Sequence, residues 1–153
     1  MRAVDGGFSA HSISNIDDDL EAFRGSIGRY YGTSVWHGIV QGGFGVFPAG
    51  AHRAHIRVES SFDLRSWSGT PVNRSIGVHI VLKHLVNGTW ERCADTGWKD
   101  ALSATSKFSY TFWKLTSSCV GTIQLHSAAH FYSLNSQSWW TSPWVTTPTY
   151  SPL

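Results

Sequence analysis

The sequence predicts an all-β fold: an antiparallel β-sandwich, immunoglobulin-like or similar, with one disulfide and an N-terminal arm. Three observations carry this. Apolar and polar residues alternate through much of the chain after residue 28, with the period of two that suits half-buried strands. An Asn87-Gly88 pair separates two such runs, and both residues tolerate the positive φ of a two-residue hairpin turn. The chain holds just two cysteines, Cys93 and Cys119, in no C-x-x-C pair, which argues for a single bridge rather than a metal ribbon.

The elements follow in order. Residues 1–28 read as the arm, rich in Gly and Ser, with an acidic run at Asp17-Asp18-Asp19. Within it Phe8–Ile13 can extend as a strand. Asn15 can cap a short helix carrying Leu20 and Phe23, with the aspartates at its positive end and Gly25 and Gly28 beyond it. Residues 29–153 form the sandwich domain. Its expected strands are Val35–Phe47, His52–Trp67, Ser75–Val86, Thr89–Ala94, Lys107–Leu115, Val120–Tyr132 and Ser138–Val145. The glycines Gly42, Gly43 and Gly45 inside the first run predict a bulge or a close backbone approach. In the third run Ile76, Val78, Ile80 and Leu82 share one face, with Gly77, His79 and Val81 opposite. In the sixth, Ile123, Leu125, Ala129 and Phe131 point to the core, while Gln124, His126, Ala128, His130 and Tyr132 point to water. Lys99–Ser106 is expected to be a loop or a single helical turn. The tail from Ser142 carries Pro143, Pro148 and Pro152, so it should run extended and stay out of any central position.

Composition narrows the function. At 153 residues the chain supports one domain with a real core. Only 14% of residues are charged, against about 25% in an average globular domain. Its polar surface therefore comes from Ser, Thr, Asn and Gly, as in many secreted β-proteins. A net charge of +2 without a Lys/Arg cluster argues against nucleic acid. No apolar run reaches the length of a membrane span. The N-terminal segment lacks the basic and apolar regions of a leader, so a secreted form would be a mature chain. A Cys93–Cys119 disulfide closes 26 residues and would stabilise the fold by about 3–4 kcal/mol in the chain-entropy model. The alternative is two unrelated buried thiols.

Candidate chemistry is sparse. The eight histidines invite a metal reading, but His52 and His55 face opposite sides of a strand. His126 and His130 share a face at about 13 Å apart, too far for one ion. No nucleophile elbow, facing carboxylate pair or phosphate-binding glycine loop appears. Neither catalysis nor a cofactor or metal is expected. The eight tryptophans say more. Of the adjacent Trp139 and Trp140, one should face in and the other out. Trp140, Trp144 and Tyr150 are the candidates for an exposed stacking platform.

The segment Asn87-Gly-Thr-Trp-Glu-Arg-Cys-Ala-Asp-Thr-Gly-Trp98, with Phe108–Trp113 and the second cysteine before Val120-Gly121, resembles small secreted actinobacterial proteins. That resemblance spans roughly Ser75 to Tyr150 and implies a secreted, disulfide-closed β-sandwich. An arm ahead of such a domain is similar to the small bridging subunit of Streptomyces umbrella toxin particles, a resemblance of architecture alone. It implies a non-enzymatic adaptor that joins larger secreted proteins. On this expectation the arm docks by adding a strand to a sheet edge, anchored by Phe8, Ile13, Ile16, Leu20 and Phe23. The alternative is a carbohydrate-binding module using Trp140, Trp144 and Tyr150.

Overall fold

The computed structural model describes residues 3–4, 22–47 and 55–151. Ten strands account for most of them: β1 (Ala3–Val4), β2 (Ala22–Gly32), β3 (Trp36–Phe47), β4 (His55–Ser66) and β5 (Ile76–Val86), then β6 (Thr89–Asp100), β7 (Lys107–Leu115), β8 (Ile123–Ser133), β9 (Ser138–Thr141) and β10 (Val145–Thr146). They form two antiparallel sheets packed face to face. The first has the order β1-β2-β3-β4-β7, and the second β10-β8-β5-β6 with β9 also on β8. The expected sandwich is therefore present. Three consecutive strands, β2 to β4, make a meander within one sheet, a strand order unlike the immunoglobulin arrangement. Thr116–Ser118 is a 3₁₀ turn, and no α-helix occurs among the described residues.

Alternation builds the core. Val40, Phe44, Ile56, Val58, Phe62 and Leu64 from the first sheet meet Ile76, Val78, Ile80, Leu82, Ile123, Leu125 and Phe131 from the second, all buried. At one end the rings of Tyr31, Trp36, Phe62, Phe131 and Trp140 interlock, with Trp36 edge-on to both Phe131 and Trp140 at 4.8 Å. At the centre the sheets approach closely. A Cβ added to Gly42 would stand 3.1 Å from Leu125 Cδ2 and 3.3 Å from Ser127 Cβ. The buried hydroxyls of Ser60 and Ser127 pair across this gap, and Ser60 Oγ also donates to the Gln41 carbonyl at 3.0 Å. Gly42 thus explains why a glycine interrupts an apolar run: the facing strand occupies the space of its side chain.

The turn at Asn87-Gly88 has φ of 51° and 80°, the double positive φ of the type I′ hairpin that the dipeptide predicts. It joins β5 to a β6 that runs on to Asp100 rather than stopping at Ala94. Two register shifts mark β6, between His79 and Val81 and between Leu82 and Lys83 on its partner β5. They break the alternation that would have revealed its full length. Cys93 sits at the second bulge and bonds Cys119, with Cα atoms 5.5 Å apart. The disulfide ties the segment leading into β8 to the edge strand of the second sheet.

Residues 22–28, which the sequence reading places in the arm, belong to β2. They pair with β3 from Ala22↔Val46 to Gly28↔Gln41, and Ile27 is buried in the core. Gly25 and Gly28 do not end a helix: Gly25 lies at a bulge in the β2–β3 ladder, and Gly28 pairs with Val4 of β1. The reason is tertiary. A glycine-rich segment of low intrinsic strand preference gains its ladder from a neighbouring strand already in place. Phe8, Ile13, Ile16 and Leu20 lie outside the described residues, as do Asn15, the Asp17–Asp19 run and His52.

The tail behaves as its prolines require. It continues the antiparallel path along β8 that β9 begins, pairs again as β10, and ends at an isolated bridge between Tyr150 and Ile123. Where a proline follows, the preceding residue uses its side chain. Ser142 Oγ accepts the Ala129 N–H at 2.9 Å, and Thr147 Oγ1 accepts the Leu125 N–H at 3.1 Å. Those hydroxyls satisfy buried backbone donors that the interrupted ladder leaves open.

Candidate functional site: an aromatic row on the outer face of the second sheet

The period of two that fills the core sends the alternate residues of β5 and β8 outward. The alternation predicts a wet face here, yet His130 is only 9% exposed. Indoles from neighbouring strands cover it. Trp98 of β6 stacks parallel on the His130 imidazole at 3.8 Å and 4°, and Trp139 of β9 lies 4.3 Å away at 32°. Two rings this close cannot share one face of an imidazole, so His130 is sandwiched between them. The row continues on both sides. Tyr132 meets Trp139 edge-on at 5.6 Å, while His79 contacts Trp98 at 5.3 Å and Trp144 at 4.9 Å. From end to end the order is Tyr132, Trp139, His130, Trp98, His79, Trp144.

Two carboxylates fix the imidazoles. His130 Nε2 lies 2.5 Å from Asp100 Oδ1, and His79 Nε2 lies 2.6 Å from Asp95 Oδ1. A carboxylate can only accept, so each Nε2 carries the hydrogen and donates it. The first pair spans the sheet over Gly77, which is opposite Asp100 on one side and His130 on the other. A Cβ at Gly77 would overlap the Asp100 carboxylate and stand 2.6 Å from the Lys99 carbonyl oxygen. The missing side chain is what lets Asp100 reach His130.

The second pair is organised by the bulge in β6. Asp95 accepts the Gly97 N–H at 2.9 Å and pairs with Arg92 Nη1 at 2.6 Å, besides holding His79. Thr96 Oγ1 accepts the Ile80 N–H at 3.0 Å, replacing the ladder bond that the bulge removes. Bulges re-aim the side chains that follow them, and here the following side chain is Trp98. The Gly97 N–H, then the His79 and Arg92 partners, hold the Asp95 carboxyl below the usual carboxylate range.

Beside Trp144 a cavity of about 70 Å³ is lined by Val81, Lys83, Arg92 and His126 as well as the indole. His126 Nε2 is buried without a hydrogen-bond partner. Burial, and then the charge of Lys83, push the His126 pKa below the ordinary histidine value. The imidazole is neutral at pH 7, and its Nε2 position can carry a donor hydrogen.

Of the residues expected to form a platform, Trp144 stands in the row and is 45% exposed. Trp140 does not. It faces inward and packs on Phe62, Phe131, Trp36 and Tyr31, because β9 pairs Trp139 with Tyr132 on the outer face and therefore turns Trp140 to the core. Tyr150 is also displaced from the platform: its ring packs against the core, 6.4 Å from Phe44. Of the arm anchors, the Phe23 backbone pairs with Gly45 inside the first sheet. Trp98, Trp139, His79 and His130 form most of the site; the parity of β5 and β8 is a sequence signal for the two histidines, while the two indoles come from β6 and β9. Among the described residues no three His, Cys, Asp or Glu side chains group to hold a metal ion. What the arrangement offers chemically is a rigid set of indole surfaces with a cationic recess at one end.

Two outcomes test this geometry. Gly77→Ala should cost about 1–3 kcal/mol by overpacking and alter the near-UV circular dichroism of the stacked indoles; an unchanged spectrum and melting temperature would refute the role of the gap. Asp95 has a folded pKa below its unfolded value, so its contribution is complete above about pH 4 and disappears as the pH falls through the folded pKa. The melting-temperature gap between the wild type and Asp95→Asn should accordingly be largest at neutral pH and close on acidification, whereas a gap that persists into strong acid would show that the charge is irrelevant. No protein-family model matches this chain, and no curated protein matches it.

Proposed function

We propose that this chain is a secreted, non-enzymatic glycan-binding domain that holds sugar rings against the aromatic row. The observation that carries this is the exposure of three fixed indoles: Trp98 is 38%, Trp139 49% and Trp144 45% exposed. Large aromatics normally bury most of their surface, and an exposed cluster marks an interaction site. Here the rings are held by stacking and by carboxylate-anchored imidazoles, so little side-chain freedom is lost on binding. Trp98 and Trp139 each turn one face to His130, whereas Trp144 meets His79 at a steep 65°; an indole face suits the apolar C–H face of a sugar, with the polar rim left for hydroxyls. Trp144, at the end of the row beside the cavity, is the principal stacking ring. On a glycan array the wild type should bind a defined subset of glycans, and Trp144→Ala should reduce that binding at least tenfold with its melting temperature maintained. Trp140→Ala should instead destabilise the fold by about 3–5 kcal/mol. An array with no binding would overturn the glycan reading.

A second reading, the adaptor, draws support from one feature. Ala3–Val4 pairs with Arg29 and Gly28 of β2, so an N-terminal segment of this chain adds a strand to a sheet edge. A bridging subunit that joins larger secreted proteins would use the same backbone chemistry between chains. The informative deletion removes residues 1–21 and spares β2. Full-length protein should retain a stoichiometric partner from its native culture medium, and the deletion should lose that partner while remaining folded. Equal retention by both would rule out the arm as the docking element.

A further inference from the structure

We propose that the recess beside Trp144 is a carboxylate subsite, which makes the preferred ligand an acidic sugar, a hexuronic acid stacked on the indole with its carboxylate in the recess. This rests on the glycan reading above and names its substrate class. Size is the first argument. The recess offers about 70 Å³, room for several waters at about 10–15 Å³ of such space each. That is ample for a carboxylate. A ligand that uses both the recess and the indole can place a charged group in the one and its ring on the other.

Charge is the second. Lys83 and Arg92 are opposite each other across the β5–β6 ladder, and both line the recess. Like charges in directly opposed positions repel. Asp95 partners Arg92 from one side, and the Lys83 charge is felt by His126. An anion between the two cations converts that repulsion into two charge-assisted contacts. The third argument is polar satisfaction. The buried Nε2 of His126 has no hydrogen-bond partner, and an unsatisfied buried polar atom carries a penalty of about 1–3 kcal/mol. A carboxylate offers acceptor oxygens to Lys83 and Arg92 together, and to the His126 N–H on a small turn of that ring. A neutral sugar hydroxyl can accept from two of these at most and neutralises none.

The test is isothermal titration of the full chain with a galacturonic acid trimer and with its fully methyl-esterified form, which keeps the shape and removes the charge. The acid should bind at least tenfold more tightly than the ester. Lys83→Gln should reduce acid binding to the level of the ester, with unchanged near-UV circular dichroism. The His126 ring protons should shift in the NMR spectrum when the acid is added and stay in place with the ester. Equal affinity for acid and ester overturns the carboxylate subsite while leaving the glycan reading intact. Equal affinity for a sulfated neutral trimer also overturns it, by reducing the recess to a general anion site. Binding of neither trimer, together with an empty glycan array, overturns both. If Lys83→Gln fails to fold, the comparison of acid with ester on the wild type still decides.

Discussion

The strict alternation of β8 is the constraint on which everything else in this molecule depends. Ile123, Leu125, Ala129 and Phe131 supply the centre of the core. His126, His130 and Tyr132, one step out of phase, supply the recess wall and two of the six rings of the aromatic row. A shift of one residue would exchange the two sets and destroy both faces together. The register is held from both sides, by β5 along its length and by β9, β10 and the Tyr150 bridge along the other edge. Ser142 and Thr147 complete that hold, turning two proline interruptions into side-chain hydrogen bonds.

A chain so poor in charge has to cover its sheets by other means. The outer face of the second sheet carries a partial second layer, in which histidines act as flat polar spacers between indoles. Each imidazole is oriented by an aspartate from β6, and each aspartate reaches it through a local departure from regular geometry: the empty space at Gly77 for Asp100, the bulge at Thr96-Gly97 for Asp95. The site is thus made from irregularities in an otherwise regular ladder. The consequence is rigidity at the imidazoles, which cannot turn without breaking their hydrogen bonds to Asp100 and Asp95.

Legibility in the sequence followed the regularity of the ladder. The body strands from β3 to β8 could be read because alternation depends on local residue type alone, and Asn87-Gly88 because its positive φ excludes most other residues. β2 was hidden, since Arg24-Gly25-Ser26-Ile27-Gly28 has little strand character apart from its pairing with β3. The end of β6 was hidden by two bulges. The inside–outside division of Trp139 and Trp140 was predictable from strand geometry, but its sense was not. That sense depends on the pairing of Trp139 with Tyr132, a relation between strands. Gly77 showed nothing in sequence of its bridging role, because the residues it separates come from elements on either side of it.

The path of the tail also sets the order in which the protein can be completed during synthesis. β8 emerges from the ribosome before the residues that cover its outer edge, from Ser138 to Tyr150. Until these are released, its backbone presents unpaired donors and acceptors along a strand whose inner face is apolar, and Trp139 and Trp144 have yet to reach the histidines they pack against. The nascent domain therefore passes through a stage in which its most adhesive edge is exposed. The prolines of the tail favour a quick resolution, because a segment biased toward extended backbone has less freedom to lose as it docks.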